Sequence, residues 1–234
     1  MLLIPSFLRK GFEALLSPLV DWLIAKQVHP NVLTTLGTVV LLAASVAFGV
    51  GFVRLGGLLL LLSGVFDMLD GRVARGGDVA TKFGAFYDST LDRVGDASLY
   101  GGIALYFIHG PVPAWLQVPG AAVGMVALAA ALIVSYARAR AEGLGLECKV
   151  GIAQRAERIL VLGVPSLFLG AGPQGILLFS IVFLLALMAV VTIAQRMRHV
   201  YRTTRRSGRK TQSRRAPPAL AEFTGKGRSS DRFN

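Results

Sequence analysis

Long apolar runs, separated by short polar segments, dominate the chain. A membrane-spanning helix needs about 20 mostly apolar residues, and six segments match or approach this length. They lie near residues 31–51, 55–74, 83–108, 115–138, 156–169 and 174–201. The pattern predicts an all-α integral membrane protein with six transmembrane helices.

The first 28 residues follow a different pattern. Apolar and charged residues are mixed there at helical spacing, which is typical of an amphipathic helix lying in the membrane interface. We therefore expect an N-terminal juxtamembrane helix over residues 1–28, rather than a cleaved signal peptide. A six-helix membrane domain over residues 29–202 would follow it.

Positive charge is unevenly divided between the two ends of the predicted bundle. One end holds nearly all the Lys and Arg residues of the loops, and the other holds only Arg54. Cytoplasmic loops carry an excess of these residues. We therefore expect a multi-pass protein of the plasma membrane with both termini and the 76–82 and 141–155 loops in the cytoplasm, and six spans satisfy that placement.

Composition supports a membrane protein. Apolar residues make up 53% of the chain and charged residues 16%, with a mean hydropathy of +0.59, whereas soluble domains are about 25% charged. The net charge of +12 could indicate nucleic acid binding, but about half of the 25 Lys and Arg residues follow Gln195 and the others flank apolar segments. We expect no nucleic acid partner. The single cysteine, Cys148, cannot form an intrachain disulfide.

Residues 203–234 are rich in Arg, Lys, Ser, Gly and Pro and contain few large apolar residues. Such a segment cannot bury enough surface to fold, so we predict a basic, disordered cytoplasmic tail. It is either simply solvated or attracted to anionic lipid headgroups.

Four carboxylates interrupt the second and third apolar segments. Asp67 and Asp70 are three residues apart on one predicted helix, and Asp88 and Asp92 are four apart on the next. Each pair lies on one helical face. Because the two helices are antiparallel and joined by a short loop, the pairs lie at a similar depth near the cytoplasmic boundary.

Four anionic side chains at one point need neutralising charge. Divalent cations such as Mg²⁺ take carboxylate oxygens and leave room for substrate phosphates, and two such ions can clamp both oxygens of a phosphoryl displacement. Gly71, Ala74 and Gly84 leave open backbone beside the carboxylates, either for a nucleotide or for close helix packing.

These residues carry a family resemblance. Asp67-x2-Asp70-Gly71-x2-Ala74-Arg75-x8-Gly84-x3-Asp88-x3-Asp92 resembles the signature of the CDP-alcohol phosphotransferases, with all eight motif positions filled. The motif covers Asp67–Asp92. Six spans after an interfacial helix also resemble the architecture of the family over Met1–Tyr201, which excludes the basic tail.

The resemblance implies a reaction and its site residues. An acceptor hydroxyl attacks the lipid-linked phosphorus of a CDP-linked lipid, usually CDP-diacylglycerol, and CMP leaves. Two Mg²⁺ or Mn²⁺ ions assist, and the family also suggests a homodimer among membrane lipids. By motif position, Asp67, Asp70 and Asp88 would be metal ligands, and Asp92 the general base and a possible fourth ligand. The residues that contact the CDP-lipid would be Asn31, Thr34, Asp67, Asp70, Gly71, Ala74, Arg75 and Thr81.

Arginines near the cytoplasmic boundary point to an acceptor that carries phosphate, because the planar guanidinium donates two hydrogen bonds to phosphate. The alternative is that they only anchor the helices at the interface. The candidate acceptor residues are Ser135, Arg138, Arg140, Arg158 and Arg196.

The segments Ser135–Glu142 and Arg155–Arg158 resemble phosphatidylinositol-phosphate synthases and their archaeal ether-lipid counterparts, which implies inositol 1-phosphate as the acceptor. Two departures are Arg138, where we expect Lys, and Ala156, where we expect Pro. Glycerol-3-phosphate is the main rival acceptor. A cation channel or transporter remains as a non-enzyme alternative, but it predicts carboxylates nearer the bilayer midplane and on more helices.

Overall fold

The computed structural model describes residues 6–148, 150–152 and 155–215, and within these ranges the chain is helical and contains no strand. Seven α-helices follow one another, with a short 3-10 turn at Pro173–Gly175 before the last. Their bounds are α1 Ser6–Ala25, α2 Pro30–Gly49, α3 Val53–Gly76, α4 Lys82–His109, α5 Ala114–Gly143, α6 Arg155–Leu169 and α7 Ile176–Arg215.

Two helix starts that lie near the candidate site are capped by side chains. The His29 ring accepts a hydrogen bond from the Asn31 amide over 3.2 Å, and Pro30 occupies the first turn of α2, where its missing N–H costs nothing. The Thr81 hydroxyl accepts from the Gly84 amide over 2.9 Å at the start of α4. These caps fix where α2 and α4 begin.

The helices pack in pairs around a buried apolar core. Helix α2 lies against α3 and α4, α4 against α5, α5 against α7, and α3 against α6. The core is centred on the fully buried side chains of Phe48, Leu60, Ile103 and Phe107. This arrangement places α3 and α4, which carry the four aspartates, on either side of α2.

Glycines allow some of these pairs to approach closely. A Cβ added at Gly102 of α4 would collide with the backbone oxygen of Ser45 on α2, and one added at Gly57 of α3 would lie 2.6 Å from the Leu167 amide nitrogen on α6. Small residues at such crossings are typical of helix packing in membranes.

Helix α1 packs on α3 through one apolar face. Leu16, Val20 and Leu23 are buried there against Leu69 and Val73. Residues 1–5 of the predicted juxtamembrane segment lie outside the described residues.

One helix overlaps each of the six predicted spans. Within the described residues, three helices are long and apolar enough to cross a membrane: Pro30–Gly49, Ala114–Gly143 and Pro173–Arg205. Helices α3 and α4 carry more charged residues, and α6 has 15 residues. These features describe an all-helical membrane protein.

The last helix differs from the sequence-based expectation. We predicted disorder from residue 203, but α7 continues to Arg215. Arg, Lys and Gln are good helix formers, and extending an existing helix gains one hydrogen bond for each residue fixed. The extension therefore needs no buried surface. Residues 216–234 of the predicted tail lie outside the described residues.

Candidate active site

Three of the four aspartates meet between α3 and α4. Asp67, Asp70 and Asp88 each offer a carboxylate oxygen, and the three oxygens lie within 4.8 Å of one another. Asp70 is buried, at 7% exposure, so its charge needs a partner. We call these residues the three-carboxylate group.

Helix α2 supports this group through side-chain hydroxyl groups. The Thr34 hydroxyl donates a hydrogen bond to Asp70 Oδ2 over 2.7 Å. One residue later, the hydroxyl groups of Thr35 and Tyr87 are hydrogen-bonded over 2.9 Å. The first bond fixes one oxygen of Asp70, and the second joins α2 to α4 beside Asp88.

The group fits a hard divalent cation. Asp88 Oδ1 is buried and has no hydrogen-bond partner among the described residues, and such orphaned oxygens are rare without an unseen ligand. Three converging carboxylates are a donor set that Mg²⁺ and Mn²⁺ accept. Asp67, Asp70 and Asp88 could therefore hold a metal ion.

Asp92 has different neighbours. Its carboxylate accepts hydrogen bonds from Arg155, at the start of α6, and from Arg93 over 3.3 Å. Arg155 Nη1 also lies 2.6 Å from Asp67 Oδ1. Asp92 is thus outside the three-carboxylate group but is joined to it through one guanidinium.

A cavity of about 820 Å³ opens beside the three-carboxylate group. We call it the donor cavity. Helix α1 contributes Ser17 and Asp21 to its wall. From the residues predicted to bind the CDP-lipid, those that line it are Asp67, Asp70, Gly71 and Arg75.

The other predicted CDP-lipid residues lie nearby but do not line this cavity. Thr34 reaches it only through its hydrogen bond to Asp70. Asn31 and Thr81 cluster at the start of α4, where a Cβ at Gly84 would lie 3.3 Å and 3.1 Å from their side-chain oxygens. Ala74 is on α3 outside the lining.

A second cavity, of about 730 Å³, lies on the other side of Asp88 and Asp92. We call it the acceptor cavity. The predicted acceptor residues that line it are Ser135, Arg138, Arg158 and Arg196. Arg140 is exposed and does not line it, because a residue two positions from Arg138 faces another side of the helix.

The lining arginines differ in their partners. Arg138 pairs with Glu142 over 2.8 Å, and both side chains are about half exposed. Arg196 donates to the backbone oxygens of Val150, over 3.0 Å, and Val134. It therefore ties α7 to α5 and to the loop that precedes α6.

Two further functional candidates were not among the predicted site residues. Arg155 lines both cavities, and Asp96 pairs with Arg158 over 3.1 Å in a buried contact. The available signal was spacing: Arg155 precedes Arg158 by three residues and Asp96 follows Asp92 by four, so each pair shares a helical face.

The two cavities share a wall. Asp88, Asp92, Arg155 and Ala156 line both of them. The carboxylates therefore lie at the junction of two spaces, one bounded by α1 and α3 and the other by α5 and α7. Such an arrangement can bring two substrates to one set of acidic groups.

Comparison with known proteins places this geometry in a family. Residues 27–197 match the family model described as CDP-alcohol phosphatidyltransferase. A phosphatidylinositol phosphate synthase from Cutibacterium acnes is 38% identical over 202 residues, covering 81% of this chain and 93% of that protein. An archaetidylinositol phosphate synthase from Methanothermobacter thermautotrophicus is 40% identical over 169 residues, covering 72% and 81%.

Solved structures are similar as well. The crystal structure of the Mycobacterium tuberculosis phosphatidylinositol phosphate synthase with CDP-DAG bound aligns with a TM-score of 0.68 at 30% identity, covering 79% of this chain and 92% of that chain. The same enzyme in complex with manganese and citrate aligns with the same TM-score and identity, covering 79% and 88%. The chain therefore belongs to the CDP-alcohol phosphatidyltransferase family and is a membrane-bound transferase.

Proposed function

We propose that the protein transfers the phosphatidyl group of CDP-diacylglycerol to inositol 1-phosphate, giving phosphatidylinositol phosphate and CMP. The observation that carries this proposal is the three-carboxylate group at the junction of two cavities, one of them lined with arginines. The names of the relatives support inositol phosphate over glycerol-3-phosphate as the acceptor.

The CDP-lipid would bind in the donor cavity. The Mycobacterium tuberculosis relative was crystallised with CDP-DAG. Asp67, Asp70, Gly71 and Arg75 line the cavity, and Thr34 supports Asp70. Asn31, Ala74 and Thr81 complete the set suggested by the family motif. The Arg75 guanidinium lies 3.3 Å from the position that a Cβ at Gly71 would take, and it would provide a positive charge for the pyrophosphate.

Two divalent cations, Mg²⁺ or Mn²⁺, would be held by Asp67, Asp70 and Asp88, with Asp92 as a possible fourth ligand. When bound, such ions stabilise the negative charge that develops on the phosphoryl oxygens. The manganese complex of the relative supports this assignment. Thr34 would orient Asp70, since partners of ligating carboxylates fix their direction.

Asp92 would act as general base. It would accept the proton of the acceptor hydroxyl while the hydroxyl oxygen bonds to the phosphatidyl phosphorus. The bond from that phosphorus to the CMP oxygen breaks, and CMP leaves. The side chain of Asp92 is 15% exposed and lines both cavities, which suits proton transfer between substrates in the two cavities.

The acceptor phosphate would bind in the acceptor cavity. Ser135, Arg138, Arg158 and Arg196 line it and provide hydrogen-bond donors suited to a phosphate. Of the predicted acceptor residues, Arg140 has the least structural support, because it is exposed and does not line the cavity.

We place the six-helix catalytic domain, residues 29–202, in the plasma membrane with both termini and the site on the cytoplasmic side. The juxtamembrane helix over residues 1–28 would lie in the interface, and the basic tail predicted over residues 203–234 would begin as the continuation of α7 to Arg215. The distribution of Lys and Arg supports this orientation. A homodimer surrounded by membrane lipids would be the working form.

The decisive experiment measures CMP release by purified enzyme with CDP-diacylglycerol and Mg²⁺ or Mn²⁺. Inositol 1-phosphate, free inositol, glycerol-3-phosphate and serine are compared as acceptors. Of these four acceptors, we expect inositol 1-phosphate to be the one that supports CMP release. Faster release with glycerol-3-phosphate would overturn the proposed acceptor, and ion flux without CMP release would support the channel alternative.

A further inference from the structure

A second ion pair lies one helical turn beyond the proposed base. Asp96 follows Asp92 on α4, and Arg158 follows Arg155 on α6. Arg155 pairs with Asp92, and Arg158 pairs with Asp96. The two ion pairs therefore follow one another along the facing sides of α4 and α6.

The ion pair between Asp96 and Arg158 is buried. The side chains of Asp96 and Arg158 are each 9% exposed, and Arg158 Nη2 lies 3.1 Å from Asp96 Oδ2. Burying a carboxylate and a guanidinium is unfavourable unless each satisfies the other. Asp96 lines neither the donor nor the acceptor cavity, so it acts on a substrate through the arginines that it faces. Arg158 is its hydrogen-bond partner.

Arg158 keeps hydrogen-bonding capacity on its other side. The residue lines the acceptor cavity, and its Nε is buried without a hydrogen-bond partner among the described residues. A guanidinium has five N–H donors in a fixed plane, and the contact with Asp96 fixes the orientation of that plane. Arg158 also hydrogen-bonds the side chain of Tyr100, and its other donors are available to an acceptor in the cavity.

We propose that Asp96 is a positioning residue that holds Arg158 in place for the phosphate of the acceptor. This inference rests on the proposed function, because it assigns Arg158 to the acceptor. Preorganising a long side chain before binding removes the entropy cost of ordering it when the ligand arrives.

The test is a steady-state comparison of Asp96→Asn and Asp96→Ala with the wild type, varying each substrate separately. We expect Asp96→Ala to raise KM for inositol 1-phosphate about tenfold or more, the scale of a hydrogen bond between charged groups. KM for CDP-diacylglycerol should stay within about twofold. Asp96→Asn keeps a carbonyl oxygen for Arg158 and should raise KM for the acceptor by a smaller factor.

A double-mutant cycle separates positioning from a direct role. If Asp96 acts through Arg158, the double variant D96A/R158A should match Arg158→Ala within about twofold, because the two effects are not additive. Additive losses would overturn the proposal. So would an unchanged KM for the acceptor in Asp96→Ala, or equal increases in KM for both substrates.

Controls keep the result independent of folding and of the identity of the acceptor. Asp78→Asn removes a carboxylate from the exposed turn between α3 and α4, outside both cavities, and should leave both KM values unchanged. Each variant is first checked by thermal unfolding.

If glycerol-3-phosphate rather than inositol 1-phosphate supports CMP release, the proposed acceptor fails and the same comparison is made with glycerol-3-phosphate. Thermal stabilisation by inorganic phosphate, without CDP-diacylglycerol, gives a readout without turnover: a wild-type shift that persists fully in Asp96→Ala would overturn the positioning role.

Discussion

Arg155 Nη1 lies 2.6 Å from Oδ1 of Asp67, and this contact joins the start of α6 to α3. The same nitrogen donates to Asp92, so one side chain contacts a proposed metal ligand and the proposed base. It also lines both cavities. Arg155 is therefore placed to stabilise negative charge on the group being transferred.

We expect Arg155→Ala to lower kcat about 100-fold, the scale observed when one donor to a developing negative charge is removed. Arg140→Ala is the matched control, because it removes the same side chain from an exposed position outside both cavities. CMP release at saturating substrate measures the effect. Equal losses in the two variants would indicate that only the total positive charge matters.

The three-carboxylate group predicts a dependence on metal that can be measured without turnover. Replacing Asp70 or Asp88 with Asn removes one anionic ligand and should weaken Mn²⁺ binding by about 10-fold or more. Free Mn²⁺ is followed by electron paramagnetic resonance during titration of the purified protein. Unchanged Mn²⁺ affinity in both variants would remove these residues from the metal site.

Asp92→Asn should abolish CMP release while the protein still folds. The amide cannot accept the proton of the acceptor hydroxyl, and loss of a general base costs about 100-fold to 10,000-fold in rate. Retained binding of CDP-diacylglycerol and a normal unfolding temperature would show that the defect is chemical. Full activity in this variant would rule out the assignment as base.

Thr34→Val should weaken Mn²⁺ binding several-fold, because it removes the 2.7 Å hydrogen bond that orients Asp70. Thr38→Val is the matched control on the same helix, since among the described residues the Thr38 hydroxyl donates to the backbone oxygen of Thr34, over 2.9 Å, and not to a carboxylate. Equal affinity in the two variants would show that orientation of Asp70 does not depend on Thr34.

Adjacent glycines on α4 predict opposite effects on stability. Gly102→Ala places a methyl group against the Ser45 backbone and should destabilise the fold by about 1–3 kcal/mol. At Gly101 an added Cβ meets nothing within 4 Å, so Gly101→Ala should be neutral or stabilise by up to about 1 kcal/mol. Unfolding in mild detergent measures both, and similar values would contradict the close approach of α2 and α4.

Much of the helical framework could be predicted because apolar length and helix boundaries are local properties. The segment predicted near residues 31–51 corresponds to α2, Pro30–Gly49, and Pro30 at its first position is a visible signal for a helix start. The continuation of α7 to Arg215 was missed. Composition indicated only that this segment buries little surface, and an extension of an existing helix does not need to.

The carboxylates of the site could also be predicted, since i, i+3 and i, i+4 spacing decides which side chains share a face. The partners of Arg155 and Arg158 could not. Arg155 contacts Asp67 across 88 residues of sequence, and Arg158 contacts Asp96 across 62. Such pairs depend on how α6 is aligned along α3 and α4, and no local pattern in the sequence defines that alignment.

The wall shared by the two cavities has a kinetic consequence. Because Asp88, Asp92 and Arg155 face both spaces, lipid donor and polar acceptor can occupy the enzyme together and react directly. We therefore expect intersecting double-reciprocal plots, as for a ternary complex, and inversion of configuration at phosphorus, as for a single displacement. A phosphatidyl–enzyme intermediate would instead give parallel plots and retention.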